Sequence, residues 1–176
     1  AAETDFNGET TTYQYDHFGR PILATYADGS QLATTYAGFA QVATLTSAHG
    51  TTSYTYDSQG RVVSETSPEG TIDYQYDARG RKTRVTSPAG ATSYEYNAIG
   101  QLAAVVDSHG GRTEYTYLWF GPLASVKYAN GVVANYSYDG SGNLTTIEDR
   151  DAAGVLLQRL TYTYSTSGLR TSETDQ

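Results

Sequence analysis

One motif, Tyr-x-Tyr-Asp-x-x-Gly-Arg, recurs along the chain at a nearly constant interval. Complete copies, conservative variants and weaker copies can all be recognised. The complete copies are residues 13–20, 54–61 and 74–81, the variants are 94–101 and 136–143, and the weaker copies are 34–41, 115–122 and 162–169. Copies start 20 or 21 residues apart, except that the last step is 26. Self-similarity at a fixed short period is the signature of a repeat protein.

The spacing inside each repeat predicts two short β-strands joined by glycine-bearing turns. In the run Tyr54-Thr55-Tyr56 the two tyrosines project from one face of a strand and the threonine from the other. Asp57 and Gly60 then suit the first and fourth positions of a type I turn, in which Gly60 takes a positive φ next to a bulge. A second glycine recurs midway through each repeat at positions 29, 50, 70, 90, 110, 131 and 154. Each repeat is therefore predicted to be a hairpin.

The second strand of each hairpin has an unusual apolar spacing. Apolar residues stand three positions apart, as in Val42/Leu45, Leu102/Val105, Leu123/Val126 and Leu144/Ile147. An unbroken strand has a period of two, so such a pair cannot lie on one face of it. Either a bulge between the two residues or burial on both faces resolves the conflict, and the sequence does not choose between them.

Three segments depart from this scheme. In the copy at 34–41, Ala37 and Ala40 replace the aspartate and the glycine, which predicts an irregular turn, and the copy at 115–122 is irregular as well. The longer last step indicates an insertion near residues 148–156. Residues 148–151 only weakly resemble a calcium loop, because Ala153 and Leu160 occupy ligand positions, and we expect a solvated loop there.

Composition excludes several classes of function. The formal net charge is −8 and no basic cluster occurs, so nucleic-acid binding is not expected. The absence of Cys removes disulfides, thiolate metal sites and cysteine nucleophiles. No apolar run approaches the ~18 residues of a membrane span. His17, His49 and His109 are far apart in the array, and we predict turn positions for them rather than a metal or catalytic site.

An array of such hairpins predicts a wide antiparallel sheet. Ordering ~20 residues costs more than one hairpin's apolar burial returns, so each repeat needs its neighbours on both sides. Open sheets rarely exceed ~10 strands without curling, so we expect a curled or spiralling sheet. With no Met, even at position 1, residues 1–176 are expected to be one repeat array cut from a longer chain, and its exposed edges to favour self-association.

The motif resembles the YD repeat of the Rhs family, which also occurs in toxin-complex C proteins and teneurins. The resemblance rests on the complete copies at 13–20, 54–61 and 74–81 and extends over nearly the whole chain. It implies a β-sheet that spirals into a hollow shell, enclosing a C-terminal toxin in Rhs and toxin-complex proteins. The family's Asp-Pro-x-Gly self-cleavage signature is absent, so the resemblance assigns no autoproteolytic residue here.

These observations predict an all-β structural protein with no catalytic residue, no cofactor and no metal. We expect a wall segment of a secreted or cell-surface bacterial shell, whose partners are neighbouring repeats and an enclosed toxin domain. The alternative is a carbohydrate-binding or adhesion module that uses the repeated tyrosines to contact glycans. The predicted structural positions are Tyr13, Tyr15, Asp16, Gly19, Tyr54, Tyr56, Asp57, Gly60, Tyr74, Tyr76, Asp77, Gly80, Tyr94, Tyr96, Asn97, Gly100, Tyr136, Tyr138, Asp139 and Gly142.

Overall fold

The structure, a computed structural model, describes residues 1–119 and 121–176 and divides into two compact units, Ala1–Gly90 and Ala91–Gln176. The described residues form β-strands and turns, with no helix and hence none that could cross a membrane. The first unit contains β1 (Ala2–Thr4), β2 (Thr10–Tyr15), β3 (Pro21–Thr25), β4 (Gln31–Ala37), β5 (Gln41–Ser47), β6 (Gly50–Tyr56), β7 (Val62–Ser67), β8 (Gly70–Tyr76) and β9 (Lys82–Ser87). The strands that follow are β10 (Gly90–Tyr96), β11 (Leu102–Val106), β12 (Arg112–Tyr117), β13 (Leu123–Lys127), β14 (Val133–Tyr138), β15 (Leu144–Arg150), β16 (Leu156–Tyr164) and β17 (Arg170–Asp175).

Strands that follow one another in sequence pair antiparallel within each unit. The first unit is the meander from β1 to β9, and the second is the meander from β10 to β17. The prediction of an all-β array of antiparallel hairpins is confirmed. All the connections are local, as expected for a chain in which each hairpin repeats the one before it.

A bulge in the second strand of each motif hairpin explains the apolar spacing. In the hairpin of β4 and β5, Tyr36 pairs with Val42 and Thr35 with Thr44, so Ala43 is the extra residue. The bulge brings Val42 and Leu45 to the same face, opposite Tyr36 and Thr34. The same register shift occurs in the hairpins that contain Leu102/Val105, Leu123/Val126 and Leu144/Ile147. Of the two alternatives that the sequence leaves open, the bulge is the one the structure has.

The pairing gives the sheet of each unit two different faces. The tyrosine face carries the paired tyrosines and the apolar residues opposite them, such as Tyr115 with Val126, whose relative exposure is only 4%. The hydroxyl face carries the residues between the tyrosines. Threonine and serine hydroxyls pair across strands there at 2.7–3.0 Å, in Thr35–Thr44, Thr46–Thr51, Thr66–Thr71, Thr116–Ser125 and Thr163–Ser172.

The turns midway through the repeats are of two kinds, although the sequence suggested only one. Ser47 pairs with Gly50 and Ser67 with Gly70, which leaves two-residue turns. At Asp107 the turn is longer and has three residues between the bonded pair, because the Asp107 N–H donates to the Gly111 carbonyl at 2.9 Å and the Gly110 N–H to the Asp107 carbonyl at 3.1 Å. Three-residue turns of this form also follow Asp5, Tyr26, Tyr128 and Asp151.

The irregular copy at 34–41 and the insertion near residues 148–156 have different explanations. Where Ala37 and Ala40 replace the aspartate and the glycine, Ala37 pairs with Gln41, and the positive φ moves to Gly38, at 62°. The prediction of a solvated loop at residues 148–151 is wrong for its first three residues, which continue β15. Glu148 pairs there with Asn135 and with Arg159. The additional residues lengthen β15 and β16 and place a three-residue turn after Asp151.

Candidate functional site: the contacts between successive repeats

The aspartate of the motif organises the turn that closes each hairpin. One carboxylate oxygen of Asp57, Oδ1, accepts the backbone N–H groups of Gln59 and Arg61 at 2.9 and 3.0 Å. The Gly60 N–H donates to the Asp57 carbonyl at 3.0 Å, and Gly60 has the predicted positive φ, at 81°. The turns at Asp16, Asp77, Asn97 and Asp139 have the same two side-chain contacts.

The arginine that ends the motif pairs with the same aspartate. Arg61 Nε donates to the second carboxylate oxygen of Asp57 at 2.6 Å. Asp16–Arg20 and Asp77–Arg81 repeat this contact at 2.7 Å. In the variant copies an amide side chain stands in place of the arginine, and its position makes a hydrogen bond of 2.9 Å instead, from Asn97 Nδ2 to Gln101 Oε1 and from Asn143 Nδ2 to Asp139 Oδ2.

Hydrogen bonds lower the pKa of the turn carboxylates. For Asp77, the side-chain hydrogen bond from Arg81 is the largest cause of the lowered pKa, followed by the backbone bond from Arg81. For Asp57, burial alone would raise the pKa, but the backbone and side-chain bonds from Arg61 outweigh it and the pKa is lowered. The folded turn therefore favours the ionised carboxylate.

The second tyrosine of the motif ties its repeat to the one before it. Tyr76 donates its hydroxyl hydrogen to the Val62 carbonyl at 2.8 Å, and Val62 directly follows the arginine of the preceding copy. Contacts of this kind, 2.7–2.9 Å long, include Tyr36–Pro21, Tyr56–Val42, Tyr76–Val62, Tyr117–Leu102, Tyr138–Leu123 and Tyr164–Leu144. Each acceptor lies at the bulge of its own hairpin.

The arginine reaches the following repeat as well. The guanidinium carbon of Arg61 lies 4.5 Å from the ring centroid of Tyr76, and that of Arg20 lies 4.3 Å from the ring centroid of Tyr36. Cation–π contacts form at such distances. Asp57, Arg61 and Tyr76 thus form a continuous chain of contacts from one turn to the next repeat.

The first tyrosine of the motif packs against the opposite strand. Tyr136 lies opposite Ile147 and is half-buried, and burial is the main cause of its raised pKa. The pKa of Tyr54 is also raised, first by burial and then by the charge of Glu65, which is paired opposite it. Because these rings are partly buried, they do not form a row of freely exposed aromatic side chains.

The described residues contain no group of three or more His, Asp or Glu side chains that could hold a metal ion. His49 and His109 lie in turns, where their backbone N–H groups donate to Ser47 Oγ and Asp107 Oδ1. The motif residues are brought together with the backbone of the preceding repeat, as at Tyr76 and Val62.

Sequence reasoning missed several residues with the same role. Asp5, Asp107 and Asp151 each accept two turn N–H groups through Oδ1, as Asp57 does. The signal was present, because each begins an Asp-x-x-Gly run without the tyrosine pair. The tyrosine-to-carbonyl contact had no such signal, since its acceptor is a backbone atom of another repeat.

Solved structures of toxin complexes share this fold. The crystal structure of TcdB2-TccC3 matches with a TM-score of 0.60 and 15% identity over 99% of this chain. A Tc holotoxin pore from Photorhabdus luminescens that carries a TccC3 mutation matches with a TM-score of 0.58 and 16% identity, also over 99% of this chain. The chain spans about 12% of the length of each of those chains. At these identities the likeness concerns the fold alone.

Family comparisons agree with the motif. No curated protein matches the chain in sequence. The family described as RHS Repeat matches residues 120–155, and the family described as Teneurin YD-shell matches residues 1–112, more than half of the chain. Together with the hairpin array, these matches show that the chain belongs to the Teneurin YD-shell family.

Proposed function

We propose that this chain is a wall segment of a secreted or cell-surface shell that encloses a toxin polypeptide. Membership of the YD-shell family and the likeness to toxin-complex structures support a structural shell segment. The enclosed toxin is the further step. The enclosed toxin is inferred from the resemblance to Rhs and toxin-complex proteins. In this proposal the aspartate turns, the tyrosines and the bulges stabilise the wall and take no part in a reaction.

The observation that carries the proposal is the hydroxyl contact between successive repeats. Within each unit, strands that are neighbours in sequence pair with one another, and second tyrosines add a bond that skips back to the preceding hairpin. A sheet held together in both ways has few places where one hairpin can separate from the next. Such a wall would separate an enclosed chain from proteases by steric exclusion alone.

The test uses the full parent protein. If the repeats form a closed wall, a polypeptide encoded after the repeats resists added protease in the intact protein and is cleaved after mild denaturation. Replacing Tyr56 and Tyr76 by Phe should make that polypeptide more sensitive, because the contacts to Val42 and Val62 are lost. Equal cleavage of the polypeptide in the intact protein and after mild denaturation would contradict enclosure.

A glycan-binding role for the repeated tyrosines is not favoured. Second-tyrosine hydroxyls such as those of Tyr76 and Tyr138 already donate to backbone carbonyls, and first tyrosines such as Tyr136 are half-buried opposite residues such as Ile147. Stacking on a sugar requires an accessible ring, and these rings pack within the sheet.

A further inference from the structure

One groove of the second unit differs from the repeats around it. It lies between the motif turns of the copies at 94–101 and 115–122, and its lining includes Ile99, Gln101, Tyr117 and Trp119. None of the described side chains that line this groove is charged, although 17% of the residues in the chain are.

The absence of charge comes from specific replacements. Complete copies have aspartate and arginine at the two ends of the turn, as in Asp57 and Arg61. The two copies beside the groove have Asn97 with Gln101, and Leu118 with Pro122. Four positions that are charged in complete copies are therefore neutral here.

The groove also exposes apolar and aromatic side chains. Trp119 is 89% exposed, Ile99 53% and Leu118 46%. In the copy at 54–61 the positions of Trp119 and Ile99 hold Ser58 and Gln59. Large exposed apolar side chains at turn positions that hold polar residues in the copy at 54–61 are typical of a contact surface.

The turn keeps its backbone geometry despite the loss of its aspartate. The Leu118 N–H still donates to the Pro122 carbonyl at 3.0 Å, and the Gly121 N–H to the Leu118 carbonyl at 2.9 Å. Gln101 Nε2 donates to the Gly121 carbonyl at 3.4 Å, which adds a bond from the preceding copy. The neighbouring repeat thus helps to hold the turn that displays Trp119.

We infer that this groove is a binding site for a neutral saccharide. The C–H faces of a sugar ring pack on aromatic side chains, and its hydroxyls exchange hydrogen bonds with uncharged polar groups. Asn97 and Gln101 each have two amide hydrogens and use one of them in the contacts described. A wholly apolar ligand would leave these groups without partners, which is unfavourable when they are desolvated.

Trp119 is the only tryptophan in the chain, so its fluorescence reports directly on the groove. We would titrate the folded chain with maltohexaose, cellohexaose and chitohexaose. A saturable change in fluorescence with at least one of them is expected. By calorimetry, Trp119→Ser should weaken that binding by about tenfold or more, because it removes the stacking surface. Serine stands at this turn position in the copy at 54–61, so the variant should fold.

Two further variants complete the test. Ile99→Gln, which also copies residues 54–61, should weaken binding without loss of fold. Phe39→Ala should bind as the original chain does, because Phe39 is an exposed aromatic of another turn, in the first unit. The inference fails if no saccharide gives a saturable response, if Trp119→Ser leaves affinity unchanged, or if only an apolar dye binds. None of these results depends on whether the repeats enclose a toxin.

Discussion

At the scale of single residues, the two tyrosines of the motif have different roles. Tyr74 lies opposite Val85, and its pKa is raised mainly by burial. Tyr76, two positions later on the same face, donates to the Val62 carbonyl of the preceding copy. A phenylalanine could replace the packing of either ring but could not make the second contact, so the two hydroxyls are predicted to differ in their effect on stability.

Replacing Tyr76 by Phe is expected to lower the free energy of unfolding by about 0.5–1.5 kcal/mol, the net contribution of one hydrogen bond. Tyr74→Phe is the matched control and should change it by less, because the ring keeps its contacts. Urea denaturation of both variants measures the difference. Equal losses for the two variants would show that the hydroxyl contact adds nothing beyond packing.

The carboxylate of Asp77 links turn stability to pH. Its pKa is lowered in the fold, chiefly by the hydrogen bond from the Arg81 side chain. A lowered folded pKa means that the unfolded chain takes up the proton first, so the contribution is fully present above the ordinary value of about 3.9 and is lost as pH falls through the folded pKa. Asp77→Asn should retain the turn, as Asn97 does in its own copy.

Asp77→Asn is therefore predicted to be less stable than the original chain at pH 7. The gap, which is the difference in free energy of unfolding between the two chains, should narrow as pH falls below about 4. Urea denaturation at pH 7, 5 and 3 measures the gap. A gap that stays constant or widens in acid would contradict the assigned interaction with Arg81. As a control, Asn97→Gln should leave the pH dependence of stability unchanged, since neither side chain titrates.

At the scale of the hairpin, successive two-residue turns pack on one another. Gly50 has a φ of 124°, and a Cβ built there would overlap Cγ of Pro68, in the equivalent turn of the next repeat. Gly70 and Pro88 repeat the arrangement. Glycine is thus required at each of these positions for two reasons, the backbone conformation and the close approach of the proline in the following turn.

Gly50→Ala is expected to destabilise the fold by about 1–3 kcal/mol more than Gly29→Ala, because only the first substitution creates an overlap. Gly29 is the matched control, with a φ of 82° and open space around its Cα. Adding Pro68→Ala to Gly50→Ala should recover part of the loss. Thermal unfolding of the single and double variants gives the coupling, and strict additivity would mean that the two turns do not touch.

At the scale of the whole molecule, the sequence predicts the repeat better than the contacts between repeats. The spacing of Tyr56, Asp57 and Gly60 gives the strand, the turn and the positive φ, because these depend on neighbouring residues. The bulge at Ala43 was one of two alternatives. The apolar spacing of three shows that the strand cannot be regular, but it does not show whether a bulge or burial on both faces accommodates the two apolar residues. The run of charged residues that begins at Glu148 suggested a solvated loop. Glu148 instead lies in a strand and pairs with Arg159 of the next strand, which the local sequence does not reveal.

An array held by contacts between neighbours should tolerate the removal of one exact repeat. Deleting residues 57–76 joins Tyr56 to Asp77 and regenerates a complete motif, so the shortened chain is expected to fold with an unchanged β-sheet spectrum by circular dichroism. Its urea m-value should fall by roughly a tenth, since m scales with the surface exposed on unfolding and 20 of 176 residues are removed. Both measurements are made on the purified chain.

Deleting residues 57–69 is the contrasting change. It removes β7 and its turn, so β6 would run directly into β8 in the same direction, and the antiparallel meander cannot re-form in register. This variant should lose cooperative unfolding although it lacks fewer residues. If the two deletions behaved alike, the strands would not be organised by the repeat, and stability would depend on chain length rather than on the contact between each hairpin and the one before it.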